Sequence, residues 1–334
     1  MGSGLAVQFA RHGTSTTLID HRQSNLDAAR ETIADAVAFL RSEELLDADA
    51  AEIRDRIAFT LDTASGVGDA ELVLETVSED RDVKREVFEA IADAAPAEAV
   101  LASNTSGIPI TELGAFVDEP ERVVGCHWWN PPYLLPLVEV VSGTETAPEV
   151  RDRTVGFVEG VDRTPIVVER DVPGFVWNRI QFAVLRECAH LVEEGVASLE
   201  DVERAVRDGY ALRTAAVGPF ETADLSGVDL FRDVADDLYP HLSTATEAGP
   251  VFEDRIDAGR TGVASGTGFH EYEESLPAAI RRRDERVAAI QGAREQTRGR
   301  EDAGNGDGDG DDGGDGDDGG DGDDGGDDPG DEDR

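Results

Sequence analysis

A histidine at position 127 ends the apolar run Val123–His127 and directly precedes a proline-containing stretch, residues 128–136. Parallel α/β folds place their chemistry where strands end. A neutral imidazole there can take the proton of a hydroxyl while hydride leaves the carbon that bears it. Glu139 follows twelve residues later, flanked by Leu137, Val138, Val140 and Val141. A carboxylate in so apolar a run needs a partner to be buried, and His127 can supply one. On residue chemistry alone, a structural strand-end histidine accounts for His127 as well as a catalytic base does. Glu139 could equally be a charge on a strand edge. Asp20 closes a second run, Thr16–Ile19. In dinucleotide folds an acidic residue at that place binds the adenosine ribose and repels a 2′-phosphate, which favours NAD over NADP; Arg22 softens the preference. Such an aspartate needs a glycine-rich turn about twenty residues earlier. Gly2 fits the last glycine of GxGxxG, which predicts that the first strand and the first two glycines lie ahead of Met1. Taken alone, the pattern also describes an ordinary helix start and a surface aspartate. Lys84 is the one lysine among 30 basic residues; its plain alternative is a helix-surface lysine.

Strands and helices must position these groups. Candidate strands are Thr16–Ile19, Leu72–Thr76, Ala99–Ala102, Val123–His127, Leu137–Val141 and Ile166–Glu169. Helical patterns at Gly4–Arg11, Leu26–Arg41, Ala50–Arg56, Lys84–Ala94 and Glu149–Val161 alternate with them. That alternation predicts a parallel α/β sheet. From Gly174 onward the pattern is helical: Val176–Glu194, then Leu199–Asp208 with Ser198 as N-cap, Gly227–Leu238 and Leu276–Gln291. The expected organisation is a dinucleotide-binding domain over residues 1–170 and an all-α domain over 171–295. An Asp/Gly-rich tail over 300–334 is expected to be disordered, having no apolar area to offset its ordering entropy.

Four segments in order make the reading more specific: residues 103–107 (SNTSG), 125–132 (GCHWWNPP), 136–141 (PLVEVV) and 173–179 (PGFVWNR). Over roughly residues 1–240 the chain resembles the 3-hydroxyacyl-CoA dehydrogenase superfamily. The resemblance implies a Rossmann-type domain, truncated in its first strand, followed by an all-α domain that forms a homodimer. It places a helical hairpin on residues 24–56 and matches Met1–Gly4 to the second half of a GxGxMGxG turn. It makes His127 the catalytic base, with Glu139 orienting it, and Ser106 and Asn178 hydrogen-bonding the reacting oxygen. Asn104, Asn130 and again Ser106 then line the nicotinamide, and Glu79 and Lys84 reach the cofactor. Without the resemblance, Ser106 could be a helix cap before Ile108–Phe116 and Asn178 a solvated helix residue.

The implied reaction is oxidation of a short-chain L-3-hydroxyacyl-CoA by NAD, a step of fatty acid metabolism. One feature departs from the pattern. Acyl-CoA users place basic residues in the hairpin, whereas residues 31–49 carry only Arg41 against six acids. Residues 129–139 and 218–225, with Arg213, also resemble the L-gulonate 3-dehydrogenase and lambda-crystallin branch, and L-carnitine dehydrogenase is a relative of similar pattern. A free 3-hydroxy acid is therefore the alternative substrate. A non-catalytic crystallin-like protein is the alternative of another class.

Composition narrows the partners. Of a net charge of −43, −29 remains when the segment from Ala303 is set aside. An acidic surface almost without lysine matches proteins adapted to concentrated salt, where screening tolerates self-repulsion. The same charge repels phosphate backbones, so no nucleic-acid partner is expected. No apolar run approaches the roughly 20 residues of a membrane span, and no secretory signal is evident. Cys126 and Cys188 sit in unrelated contexts, which suits a reduced, cytoplasmic protein. The DxDxD repeats of the tail lack the hydrophobic frame and closing glutamate of a calcium loop. No metal cluster or nucleophile elbow is apparent. The expected partners are a small-molecule substrate and a second copy of the chain.

Overall fold

Alternation of short strands with amphipathic helices produces a layered α/β arrangement up to residue 168, and helices alone follow. The computed structural model describes residues 1–46 and 48–305, with side chains to residue 294. The first elements are α1 (Gly2–Arg11), β1 (Thr16–Ile19), α2 (Gln23–Ser42), α3 (Ala50–Asp55), β2 (Ile57–Thr60), α4 (Thr63–Val67) and β3 (Leu72–Glu75). Next come α5 (Arg81–Ala94), β4 (Val100–Ser103), α6 (Ile110–Gly114), β5 (Val123–Trp128), β6 (Leu137–Ser142), α7 (Pro148–Gly160) and β7 (Thr164–Val168). The helical part comprises α8 (Trp177–Glu193), α9 (Leu199–Arg204), α10 (Leu212–Ala216), α11 (Pro219–Ser226), α12 (Val228–Leu238), α13 (Pro250–Asp257) and α14 (Leu276–Asn305). A π-helical turn, Ala205–Ala211, joins α9 to α10.

Strands β3 to β7 form one sheet in sequential order, while β1 and β2 pair only with each other. Every pairing is parallel except β5 with β6. The expected parallel sheet is thus found, with one antiparallel pair added to it. A parallel connection needs a crossover of a dozen or more residues, and only residues 129–136 separate β5 from β6. Strand β2 was not anticipated, because four residues directly behind a helix carry no readable alternation.

Three apolar clusters hold the layers together. Leu5 and Phe9 of α1 pack with Val100, Val124, Trp128 and Val158 on one side of the sheet. Phe88 and Ile91 of α5 pack with Leu101, Leu113 and Val123 on the other. The opposite face of α1 meets α2 through Val7, Ile33, Val37 and Leu40. Ser198 caps α9 as expected, its hydroxyl accepting from the Asp201 amide. Met1–Ala288 forms one compact unit, and a second begins at Ala289. The described part of that second unit continues α14 to Asn305, so residues 300–305, expected in the tail, are helical. Residues 306–334 lie outside the described residues, and the expected disorder of the tail falls there.

Candidate active site

The antiparallel register of β5 and β6 sets His127 directly opposite Glu139. Side chains facing each other across such a pair touch, and here Nδ1 of His127 lies 2.7 Å from Oε2 of Glu139. Both residues are buried. The second carboxylate oxygen, Oε1, accepts the backbone N–H groups of Val176 at 2.9 Å and Trp177 at 3.0 Å. Those amides open helix α8, whose orphan donors and positive dipole end suit an anion. The chain reaches that position through Gly174 at φ +78 and Phe175 at φ +48. A left-handed phenylalanine is strained; its fully buried ring packs edge-on against His127, 5.9 Å between centroids. Burial pushes the Glu139 carboxyl upward, but the hydrogen bonds from His127, Trp177 and Val176 outweigh it and leave it below its ordinary value. Glu139 is therefore the acceptor. The imidazole carries its proton on Nδ1 and keeps the lone pair of Nε2 for chemistry.

Trp129 adds an aromatic wall beside this pair. Its ring stacks on Trp177 at 4.2 Å and lies edge-on to His127 at 6.3 Å. Its indole Nε1 is buried without a hydrogen-bond partner.

Ser106 and Asn178 are adjacent: Nδ2 of Asn178 donates to the Ser106 carbonyl at 3.0 Å. Ser106 does not cap a helix, since α6 begins at Ile110 behind Pro109. Glu79 fixes the Ser106 loop instead. Its Oε1 accepts from the Thr105 hydroxyl at 2.6 Å and the amides of Ser106 and Gly107 at 3.0 and 3.2 Å. Burial raises the Glu79 carboxyl, and the Thr105 hydroxyl, the Lys84 charge and the Ser106 amide together bring it below its usual range.

Lys84 is neither on the helix surface nor open to a cofactor. It is 1% exposed, and its ammonium donates to both oxygens of buried Glu75 at 2.9 Å, with Glu79 at 3.4 Å. The expectation that Lys84 reaches the cofactor gives way to a positioning place behind Glu79. A compact ammonium can satisfy two carboxylates in a space that a planar guanidinium fork would not fit. Glu75 and Ser103, which donates to Glu75 at 2.7 Å, were missed. Glu75 carried a weaker form of the Glu139 signal, a carboxylate at the end of an apolar run, Leu72–Leu74, rather than inside one. Asn104 accepts the Trp128 amide at 2.7 Å and so ties the end of β4 to the histidine strand. Asn130 is exposed in the β5–β6 loop, ahead of the cis bond to Pro131.

Asp20 stands just past β1, its carboxylate accepting from the Arg22 amide at 2.9 Å and the Asn25 side chain at 3.0 Å. Gly2 begins α1, and a Cβ there would come within 3.2 Å of Leu18 and 3.3 Å of Thr76. A helix N-terminus kept bare by glycine between two strand ends is a fitting cradle for a pyrophosphate. The residues present thus fit a dinucleotide: Asp20 for ribose, Gly2 for phosphate, and Asn104, Ser106 and Glu79 toward the histidine. Among the described residues, no group of three His, Cys, Asp or Glu is placed to hold a metal ion.

Comparison with known proteins matches residues 1–172 to the NAD binding domain of 3-hydroxyacyl-CoA dehydrogenase and residues 174–272 to its C-terminal domain. The L-carnitine dehydrogenase of Streptomyces griseus is 38% identical over 68% of this chain and 67% of its own length. The 3-hydroxybutyryl-CoA dehydrogenase of Mycobacterium tuberculosis is 34% identical over 81% and 95%. A solved structure of an NAD+-dependent 5-formyl-3-hydroxy-2-methylpyridine 4-carboxylic acid 5-dehydrogenase superposes with a TM-score of 0.82 at 34% identity, over 88% of this chain and 95% of that one.

Proposed function

The chain belongs to the 3-hydroxyacyl-CoA dehydrogenase family, and from that premise we propose that it oxidises a short-chain L-3-hydroxyacyl-CoA to the 3-oxoacyl-CoA. It is an NAD-dependent oxidoreductase of secondary alcohols. The observation that carries the residue assignment is the buried His127–Glu139 pair, locked at 2.7 Å and anchored to the start of α8.

Nε2 of His127 takes the proton from the hydroxyl oxygen as hydride departs from the carbon that bears it, and the C–O bond becomes a carbonyl. When bound, NAD supplies the acceptor for that hydride. The imidazolium that forms faces an ionised Glu139, whose charge opposes its own and whose hydrogen bond holds the ring. Ser106 and Asn178 orient the reacting oxygen, and their mutual hydrogen bond limits how far either can drift. Asp20 and Gly2 hold the adenosine side. Asn104, Asn130 and Glu79 hold the nicotinamide side, with Lys84 keeping Glu79 in place.

A free 3-hydroxy acid is the second reading, and a specific observation favours it. In α2 the guanidinium of Arg30 lies over the Phe59 ring at 3.7 Å, and the rest of the hairpin is dominated by acids. A CoA phosphate finds little to pair with there. The relatives that act on carnitine or a pyridine carboxylate fit this reading. We further assign a second copy of the chain to the helical part. Helices α8, α11 and α12 bury no residue within the chain, and Phe182, Phe220, Leu225 and Val228 lie exposed. A patch of that kind marks an interface. Among the described residues no helix is long and apolar enough to cross a membrane; the cytoplasm is the compartment we propose.

The test is NADH oxidation in molar KCl with acetoacetyl-CoA, free acetoacetate and 3-dehydro-L-gulonate side by side. Turnover confined to the thioester supports the first reading. Turnover confined to a free acid supports the second, and none with any 3-oxo substrate overturns both.

A further inference from the structure

Helix α14 begins at Leu276, beyond both family matches, the second of which ends at residue 272. Its Leu276–Ala288 part is nevertheless tied to the loop between β5 and β6. Ala288 shares an apolar cluster with Leu134 of that loop and with Phe39 and Leu40 of α2, and Val287 and Tyr133 pack onto the same cluster. One turn earlier in α14, Asp284 is only 4% exposed. A buried carboxylate needs partners, and Asp284 has two. Arg283 donates through Nε at 2.8 Å and pairs through Nη2 at 2.7 Å. The Tyr133 hydroxyl gives it a hydrogen bond. Burial and the Asp284 charge push the Tyr133 phenol up to about 12, against the opposing charge of Arg283. The phenol therefore keeps its proton and is the donor.

The loop that Tyr133 anchors is stiff. The amides of Leu134 and Leu135 both donate to the Pro131 carbonyl at 3.1 Å. Arg163 donates to the Pro132 carbonyl at 3.3 Å. A Cβ on Gly4 would come within 2.9 Å of the Pro132 ring, so the start of α1 also lies close against it. A shift at Tyr133 is thus carried through the closed turn to Pro131 and to its neighbour Asn130. The same loop opens with Trp129, stacked on Trp177 and edge-on to His127. One end of the loop therefore belongs to the site and the other to α14. We propose that Asp284 is a positioning residue for the cofactor site, acting through Tyr133 to hold the β5–β6 loop where Asn130 meets the nicotinamide. This rests on the assignment of Asn130 to the nicotinamide side.

The experiment measures NAD affinity by fluorescence titration, kcat at saturating NAD, and amide exchange at Leu134 and Leu135 without cofactor. Asp284→Ala and Tyr133→Phe are each expected to weaken NAD binding about tenfold, the scale of one hydrogen bond to a charged group. Turnover at saturating NAD is expected to stay unchanged, since only uniform binding is lost. The double variant is expected to bind no worse than Asp284→Ala alone, because the two residues act as one unit. Asp284→Asn, which still accepts from the phenol, is expected to regain most of the affinity. The Leu134 and Leu135 amides are expected to exchange faster in both single variants. Tyr133→Phe removes one oxygen and carries the test should Asp284→Ala fail to fold. Asn130→Ala probes the underlying assignment. If it leaves NAD affinity unchanged, that assignment fails and the exchange rates decide: faster exchange sustains the positioning role, and unchanged rates overturn it. If Asn130→Ala does weaken NAD, the proposal is overturned by undiminished affinity in Tyr133→Phe, even with a lower thermal midpoint, or by additive losses in the double variant.

Discussion

At the histidine end of the molecule His127, Glu139 and Asn178 each find a partner within the chain. His127 has Glu139, Glu139 has the amides of α8, and Asn178 has the Ser106 carbonyl. At the aspartate end, β1 and β2 pair only with each other and face a cavity. The first region is assembled by one hairpin, one helix start and the Ser106 loop, contacts that the chain supplies over residues 106–178. The second leaves one edge of β1 and one edge of β3 unpaired among the described residues. Proton chemistry and cofactor affinity are thereby separable in this molecule, and substitutions should affect one without the other.

The largest separation is expected at His127. His127→Gln should lower turnover by about 10²–10⁴-fold, the usual worth of a general base, with NAD affinity unchanged in a fluorescence titration. A matching loss of NAD affinity would break the comparison. Lys84→Ala leaves the buried Glu75 carboxylate without its counter-charge, a change that costs about 3–5 kcal/mol. Denaturant unfolding should show that loss, and the Glu79-held loop at Ser106 should loosen with it. A near-neutral result would mean that water replaces the ammonium.

The reading of Lys84 shows what sequence could and could not deliver. Its singularity marked it, but burial against Glu75 is a property of three-dimensional packing that no local pattern around residue 84 announces. His127 and Glu139 were legible because an apolar run isolates each charge. The antiparallel turn itself was not read, since its proline-rich loop has no hairpin dipeptide. Strand β2 and the short helices α4 and α10 were missed for want of length. The break in the sheet, in contrast, was anticipated from the spacing of Gly2 and Asp20.

A smaller effect is expected at the ribose end. Asp20→Ala should narrow the preference for NAD over NADP by about tenfold, the scale of one lost hydrogen bond to a charged group. Ratios of kcat/KM for the two cofactors report it, and an unchanged ratio would remove Asp20 from the site. The smallest effect is in the acid limb of stability. Glu139 and Glu79 both sit below their ordinary value of 4.5 in the folded protein. Their stabilisation is therefore complete above that value and is lost as pH falls below it through their folded pKa. Glu139→Gln should flatten thermal stability against pH between about 5 and 3. An unchanged slope would mean that other carboxylates govern the acid limb.

The central claim is that hydride leaves the carbon beta to the acyl carbonyl while His127 receives the hydroxyl proton. Its most direct test is to supply 3-hydroxybutyryl-CoA or free 3-hydroxybutyrate deuterated at that carbon, with NAD+, and to weigh the NADH formed. The account predicts deuterium in the NADH from at least one of the two substrates, with the transfer lost in His127→Gln. NADH formed without the label, or label transfer undiminished in His127→Gln, would contradict it.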